Sequence, residues 1–363
     1  MSNEKRNFIG LLYDCPNAEI QGEQYNTKYL TGGLDLGVRV VEQVFSKPPA
    51  GWDFFRLYGM EYFKSADTNT ISFAQRFMCV LIGHDNDTDN LLRLMCDAKF
   101  NLFQLGITSN YMQDIKFSDL RFISKAAWLP ETLLTSRGEA PFNVSQFLRG
   151  SGTLTKEKKA VLPLRAEKSA LVAQAEGFAM LRAFDSMNNG YPEQFIRQIQ
   201  LFGLYKAYEL AMQQATLKVS EALDEKSTCR DKACLNLVKL QRALAEFDAR
   251  FYFESPVEPS RHELTKCASF FSSFSTVSSQ HNDLVNQIER LGHLSHAELQ
   301  VREEQRANQQ DKKFKRITIF LTIIAVILTF GQVISNSPAQ WWDVLVQWGE
   351  VFKNLINFFI GEE

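Results

Sequence analysis

The sequence lacks charge over one long stretch, because no Asp, Glu, Lys or Arg occurs between Ile317 and Ile334. An uncharged apolar run of about 18 residues predicts a transmembrane helix, since an α-helix satisfies its own backbone polar groups in lipid. At about 1.5 Å per residue the run reaches roughly 27 Å, close to the hydrocarbon thickness of a bilayer. We therefore expect a first transmembrane helix over residues 317–336.

A cluster of basic residues directly precedes this run. The cluster consists of Lys312, Lys313, Lys315 and Arg316. Basic residues that flank a membrane helix favour the cytoplasmic side. The prediction is an inner (cytoplasmic) membrane protein in contact with the lipid bilayer, with the bulk of the chain in the cytoplasm.

Several signatures of other protein classes are missing. The N-terminus has no uninterrupted apolar segment typical of a signal peptide, and no Gly-rich phosphate loop, G-x-S-x-G or HExxH motif occurs. The six cysteines include no C-x-x-C pair, which favours free thiols in a reducing compartment. A formal net charge of −2 gives no support for nucleic-acid binding. The prediction is a protein that is not an enzyme.

Proline and glycine divide the rest of the chain. Short alternating runs between turn-rich pieces predict a mixed α/β cytoplasmic domain over residues 1–150. Few glycines follow, and helices are predicted at 165–185, 192–223 and 230–253, within a helical domain over 151–259. Ser260 and Glu263 have the spacing of a capping box, and no proline follows before Pro338. We expect one helix of about 75 residues, with a stalk over 260–316; an interrupted pair of helices is the alternative.

The predicted first membrane helix carries one polar stripe. Its residues are Thr318, Thr322, Thr329, Gln332 and Asn336, in steps of three and four that keep them on one helix face. In a ring of helices this stripe lines a pore or a tight helix–helix contact. Both interpretations fit the residues.

A second apolar segment, residues 341–361, ends the chain. Its polar positions are Asp343, Gln347, Glu350, Asn354 and Asn357. They again recur in steps of four and three. The segment either spans the bilayer or lies in the interface with its aromatic face toward lipid.

The stretch from Asn308 to Asn336 resembles the first membrane helix of the CorA family of divalent-cation channels. The shared pattern is a polar helix, a basic cluster, a Thr-bearing apolar run and a terminal Asn. The resemblance implies a CorA-like fold: an α/β cytoplasmic domain, a helical layer, a very long helix entering the membrane, and a C-terminal membrane hairpin. It also implies a homo-oligomer around an ion pathway, with five copies as in this family.

The family's Gly-Met-Asn motif is absent, and the corresponding place reads Gly331-Gln-Val-Ile-Ser-Asn336. The functional hypothesis is a channel for divalent cations such as Mg²⁺, gated from the cytoplasmic domain by a small-molecule or protein trigger. Divergent family members act as membrane effectors in antiviral defence, so an effector role is included. The alternative is a membrane-anchored interaction or membrane-disrupting effector without a selective pore.

Three groups of possible metal ligands are better explained without a metal. Asp85, Asp87 and Asp89 begin like an EF-hand loop, but the sixth and twelfth places hold Asn90 and Cys96. His293 and His296, and the acidic residues Glu298, Glu303, Glu304 and Asp311, are typical of a solvated helix face. The sequence therefore leaves any metal site unassigned, and divalent cations such as Mg²⁺ are expected as permeant or regulatory ions.

Overall fold

A computed structural model provides the structure of the chain. It describes residues 7–16, 22–24, 38–64, 71–84, 102–108, 115–116, 119–129, 142–149, 161–165, 169–174, 176–182, 193–224, 230–253, 255–334 and 349. The chain divides into two compact units, residues 1–292 and 293–363.

The first unit is built on one mixed sheet, which has nine strands in the described part of the chain. The strands are β1 (Asn7–Asp14), β2 (Glu23–Gln24), β3 (Arg39–Val44), β4 (Phe54–Tyr62), β5 (Gln75–His84), β6 (Arg121–Leu129), β7 (Val161–Arg165), β8 (Ser169–Gln174) and β9 (Gly177–Arg182). Their order across the sheet is β2-β3-β4-β5-β1-β6-β9-β8-β7. All neighbours are antiparallel except β6 and β9, which run parallel.

Strand β1 lies at the centre of the sheet and is buried on both faces. Its side chains alternate, with Phe8 and Leu12 in one core and Ile9 and Leu11 in the other. This is the two-residue period of a strand. A strand covered on both faces needs apolar residues at successive positions, as the sequence FIGLLY provides.

Helices cover the two faces unequally. They are α1 (Phe142–Arg149), α2 (Glu193–Asp224), α3 (Arg230–Arg250), α4 (His262–Phe274) and α5 (Val277–Ile334). Helix α1 packs on the face that carries Ile9, together with a short 3-10 helix at Leu102–Leu105. The other face is covered by α2, with residues of α3, α4 and the start of α5 in the same core. The predicted helices at 192–223 and 230–253 are confirmed by α2 and α3.

The predicted helix over 165–185 is wrong, because this segment forms β8 and β9. The two strands pair with each other, with Gln174 opposite Gly177, and β9 continues onto β6 in parallel register. Contact with a strand about fifty residues away therefore outweighs local helix preference. The fold class predicted from the sequence is wrong on this point, since the sheet continues through the region assigned to a helical layer.

The single 75-residue helix is also wrong, because the chain breaks between α4 and α5. Ser275 is extended, with φ −89° and ψ 138°, and its hydroxyl accepts a hydrogen bond from the Val277 N–H at 3.2 Å. The Ser275 hydroxyl thus satisfies the first amide of the new helix, which has no partner within that helix. The proposed capping box at Ser260 does not form; Arg261 occupies the N-cap of α4 without a side-chain hydrogen bond.

The prediction of a membrane-crossing helix is corrected as well. Among the residues that the structure describes, no helix combines the length and apolar composition that crossing a membrane requires.

This finding overturns three predictions that depended on the span: the long helix entering the membrane, the inner-membrane localisation, and the description as a membrane protein and ion channel. The segment 341–361 lies outside the described residues apart from Gly349. The aspartates at 85, 87 and 89 and the helix predicted after them also lie outside the described residues.

Helix α2 approaches the sheet closely at Gly203. The Tyr62 hydroxyl is buried there and donates a hydrogen bond to the Gln200 carbonyl at 2.9 Å. A Cβ added at Gly203 would lie 2.6 Å from the Tyr62 Oη, and its next nearest atom, Tyr62 Cζ, is at 3.4 Å. Glycine is therefore required at this position by the tyrosine hydroxyl rather than by the ring.

We predict that Gly203→Ala destabilises the wild-type protein by about 1–3 kcal/mol, because the new methyl overlaps the Tyr62 hydroxyl. In a Tyr62→Phe background the same change gains helix propensity of up to about 1 kcal/mol without the overlap. Denaturant unfolding of the four proteins measures this coupling, and Gly292→Ala, which meets only the Gln241 side chain, is the matched control. Additive effects of the two substitutions would contradict the assignment.

The start of α5 is held to α3 by an ion pair. The His281 Nε2 lies 2.7 Å from the Asp248 Oδ1, and the Tyr252 ring stacks on the imidazole with centroids 4.2 Å apart. The hydrogen bond that the His281 Nε2–H donates to the Asp248 carboxylate raises the pKa of His281 above its ordinary value, against the opposing effect of burial. The charged imidazole is therefore the form that stabilises this contact.

Because the folded pKa is raised, the stabilisation is fully present below the ordinary histidine pKa of about 6.5 and is lost as pH rises through the folded value. We predict that Asp248→Asn lowers the free energy of unfolding more at about pH 6 than at about pH 9. Chemical denaturation at both pH values measures the difference. Glu246→Gln, which removes the partner of Arg250 on the same helix, should show no such pH dependence.

Candidate interaction surface on the long helix

The second unit presents an apolar surface that the described residues leave uncovered. We call this surface the apolar band. It comprises Phe314, Ile317, Ile319, Phe320, Leu321, Val326 and Ile327. The exposed fractions within it range from 39% for Val326 to 69% for Phe314. Large contiguous apolar patches on a protein surface indicate an interaction site.

The helix that carries the band is regular for local reasons. No proline or glycine occurs between Gly292 and Gly331. Lys315 Nζ and Asp311 Oδ2 form an i,i+4 ion pair at 2.9 Å, although this pair is solvent-exposed and contributes little to stability. The helix therefore presents the band without support from packed neighbours among the described residues.

The band surrounds the helix rather than following one face. Phe314, Ile317, Leu321 and Ile324 recur in steps of three, four and three, the spacing of a coiled-coil seam. Ile319, Phe320 and Val326 lie on other faces of the same turns. A helix that is apolar all round is normally buried on every side. One neighbouring helix would cover only part of the band.

The residues before the band are polar and exposed. Glu303, Glu304 and the basic cluster at Lys312, Lys313, Lys315 and Arg316 all lie on the solvent-exposed helix. The boundary between the charged helix and the apolar band falls within a few residues of Phe314. Any partner that covers the band must therefore end its apolar contact near this position.

The structure describes only part of the predicted polar stripe. Thr318 and Thr322 lie exposed on α5. The Thr322 hydroxyl donates to the Thr318 carbonyl at 2.8 Å, so it is bonded to its own helix. Thr329 and Gln332 belong to α5 but their side chains are outside the described set, as is Asn336 altogether. Pore lining by the stripe stays a prediction.

The remaining predicted sites are not brought together by the described structure. The second stripe, at Asp343, Gln347, Glu350, Asn354 and Asn357, lies outside the described residues. Within the part of the chain that is described, no group of three or more His, Cys, Asp or Glu side chains could hold a metal ion. The expectation of permeant or regulatory divalent cations stays a prediction.

Sequence reasoning found the apolar run but missed one part of the surface. Phe314 stands between basic residues, and the run was counted only from Ile317. Its exposure of 69% makes it the most accessible large apolar side chain of the band. The signal that could have identified it is the three-residue step from Phe314 to Ile317.

No protein-family model matches this chain, and no curated protein matches it either. The resemblance to the CorA family therefore stays a prediction. Ion conduction is likewise untested, and it would require the bilayer crossing that the described helices do not provide.

Proposed function

We propose that this chain is a non-enzymatic interaction protein that self-associates through the apolar band, so that several copies display their sheet-containing units together. The observation that supports the proposal is the exposure of Phe314, Phe320 and Leu321, at 69%, 63% and 58%, within about two turns of one helix. Such surface is unfavourable in water and favourable in a helix bundle.

A second copy of the chain is the occupant best matched to the band. Every copy has its apolar band at the same position along the helix, directly after the charged residues. Two copies that lie side by side in parallel therefore bring their apolar bands into contact. Because the band surrounds the helix, more than one neighbour is needed to cover it. A closed ring of identical helices meets this requirement, as symmetric assembly does in most soluble oligomers.

The energetics favour association. Burial of a large apolar side chain contributes about 1.5–3 kcal/mol, so the band offers on the order of 10 kcal/mol per copy. Association costs about 4–15 kcal/mol in lost motional freedom. Partial cover by one neighbour would give weak binding, whereas cover on several sides would give a stable oligomer. The predicted pentamer remains one possible size of such a ring.

We predict that Leu321→Glu or Ile317→Glu converts the oligomer to smaller species, because a carboxylate in the covered band would be desolvated without a partner. Sedimentation or light scattering of the full-length protein at about 10 μM measures the mass. This concentration lies well above a Kd of about 1 μM, which corresponds to a binding free energy of about −8 kcal/mol. Gln309→Glu introduces the same charge on the same helix outside the band and should leave the mass unchanged.

Two results would contradict self-association. One is a wild-type chain that stays monomeric at that concentration. The other is a chain that becomes stable only when it is bound to lipid vesicles, with a mass in detergent of one copy per particle. Either result would mean that something other than a second copy of the chain covers the apolar band.

A further inference from the structure

The basic cluster of α5 adjoins the apolar band, and all four of its side chains are solvent-exposed. Asp311 is the only acidic residue between Ala307 and Ile334, so this stretch, with four basic residues and one acidic residue, has a formal net charge of +3. The ion pair of Asp311 with Lys315 is exposed on both sides, at 61% and 73%, and such pairs are weak. The cluster is therefore a concentrated positive charge on side chains that a solute can reach.

The cluster and Phe314 occupy opposite sides of the helix. At 3.6 residues per turn, successive residues are about 100° apart around the helix axis. The four basic residues then fall within about 160° of the circumference, and Phe314 lies at the centre of the remaining arc. When Phe314 contacts a neighbouring copy, the basic side chains on the opposite side stay in water. Self-association through the band therefore leaves the cluster accessible.

Association through the apolar band brings the clusters of different copies together. In a closed ring with cyclic symmetry, identical helices run parallel, so the cluster lies at the same height in every copy. The axes of packed helices are about 8–10 Å apart, which is close to the Debye length of about 8 Å at physiological ionic strength. Salt therefore screens neighbouring clusters only in part. Their mutual repulsion opposes the association that the apolar band favours.

We propose that a small polyvalent phosphate of the triphosphate class binds across the basic clusters of neighbouring copies and strengthens the assembly. The inference rests on the proposed self-association and adds its regulation. An anion that contacts two clusters replaces the repulsion between them with attraction to a shared ligand. The assembly is therefore weaker without the anion and stronger with it, while the apolar band supplies the contact in both cases.

The chemistry of the cluster favours a chain of linked phosphates over a single one. The Arg316 guanidinium and the lysine ammonium groups donate charge-assisted hydrogen bonds to phosphate oxygens. A triphosphate offers such oxygens along its length and reaches side chains of two copies at once. Orthophosphate offers its oxygens at one point only. Inorganic tripolyphosphate and a nucleoside triphosphate share the chemistry that the cluster recognises.

Sedimentation of the full-length protein with sodium tripolyphosphate, adenosine triphosphate or orthophosphate tests the proposal, at equal ionic strength and without divalent cations. We expect tripolyphosphate at about 1 mM to lower the dissociation constant of the oligomer about tenfold or more. Orthophosphate should leave that constant unchanged. A stronger effect of adenosine triphosphate than of tripolyphosphate, or the reverse, identifies the source of the anion, because both carry the same phosphate chain.

Two variants and one control locate the effect. Lys312→Gln/Lys313→Gln removes two charges of the cluster but no residue of the apolar band, so it should associate more tightly than wild type without phosphate and respond little to tripolyphosphate. Lys239→Gln/Lys266→Gln removes two exposed charges from α3 and α4 and should respond as wild type does. Leu321→Glu, which disrupts the band, should bind tripolyphosphate about tenfold more weakly in calorimetric titration, because a separate copy offers one cluster only.

The outcomes separate this inference from the self-association on which it rests. An oligomer whose dissociation constant is the same with and without either triphosphate would overturn the inference and leave self-association intact. Equal affinity of wild type and Leu321→Glu for tripolyphosphate would also overturn it, because the anion would then bind a single copy. A wild-type protein that stays monomeric in every condition would overturn self-association, and the bridging anion with it.

Discussion

The parallel pairing of β6 with β9 is the contact on which the rest of the first unit depends. It joins residues 121–129 to residues 177–182 and makes one sheet from two parts of the chain that are distant in sequence. Gly177 allows the close approach, since a Cβ there would lie 2.2 Å from the Lys125 carbonyl oxygen. The Ser124 hydroxyl fixes the same junction by donating to the Glu176 carbonyl at 2.7 Å.

This pairing also determines where the helices can pack. Phe178 of β9 contacts the rings of Phe195, Phe202 and Phe271, so one strand residue joins α2 to α4. Large aromatic pairs in edge or tilted contact stabilise a core beyond their buried area. The first turns of α2 and α4 lie side by side next to this packing, and Gln198 and Glu263 both line the pocket between them.

The two compact units differ in how deeply their apolar side chains are buried. In the first unit Leu284 and Ile288 of α5 are buried at 2% and 3% exposure, at helical spacing against the core. In the second unit, side chains of the same kind on the same helix are exposed. Burial within one chain explains the stability of the first unit. The second unit gives its apolar surface no such cover among the described residues, and this uncovered surface is the observation on which the proposed self-association rests.

Much of the local structure could be predicted from sequence. The helices α2 and α3 follow from apolar spacing, and the distinct apolar run beginning at Ile317 follows from the absence of charge. The error at 165–185 has a physical cause: Ser169–Gln174 and Gly177–Arg182 have no strong local preference, and their strand conformation depends on β6, which the local pattern cannot show. The sequence left an interrupted pair of helices open as the alternative to one long helix, but it could not place the break at Ser275, because this serine stands in a helix-compatible sequence.

The sequence by itself determined which residues are apolar, which are charged and where each helix can run, because these depend on spacing along the chain. Only the tertiary structure decided which of those residues are covered. Gln198 and Phe314 illustrate the difference. The Gln198 side chain is polar but only 1% exposed, whereas the Phe314 side chain is apolar but 69% exposed. Burial is a property of neighbours that are distant in sequence, and no local pattern contains them.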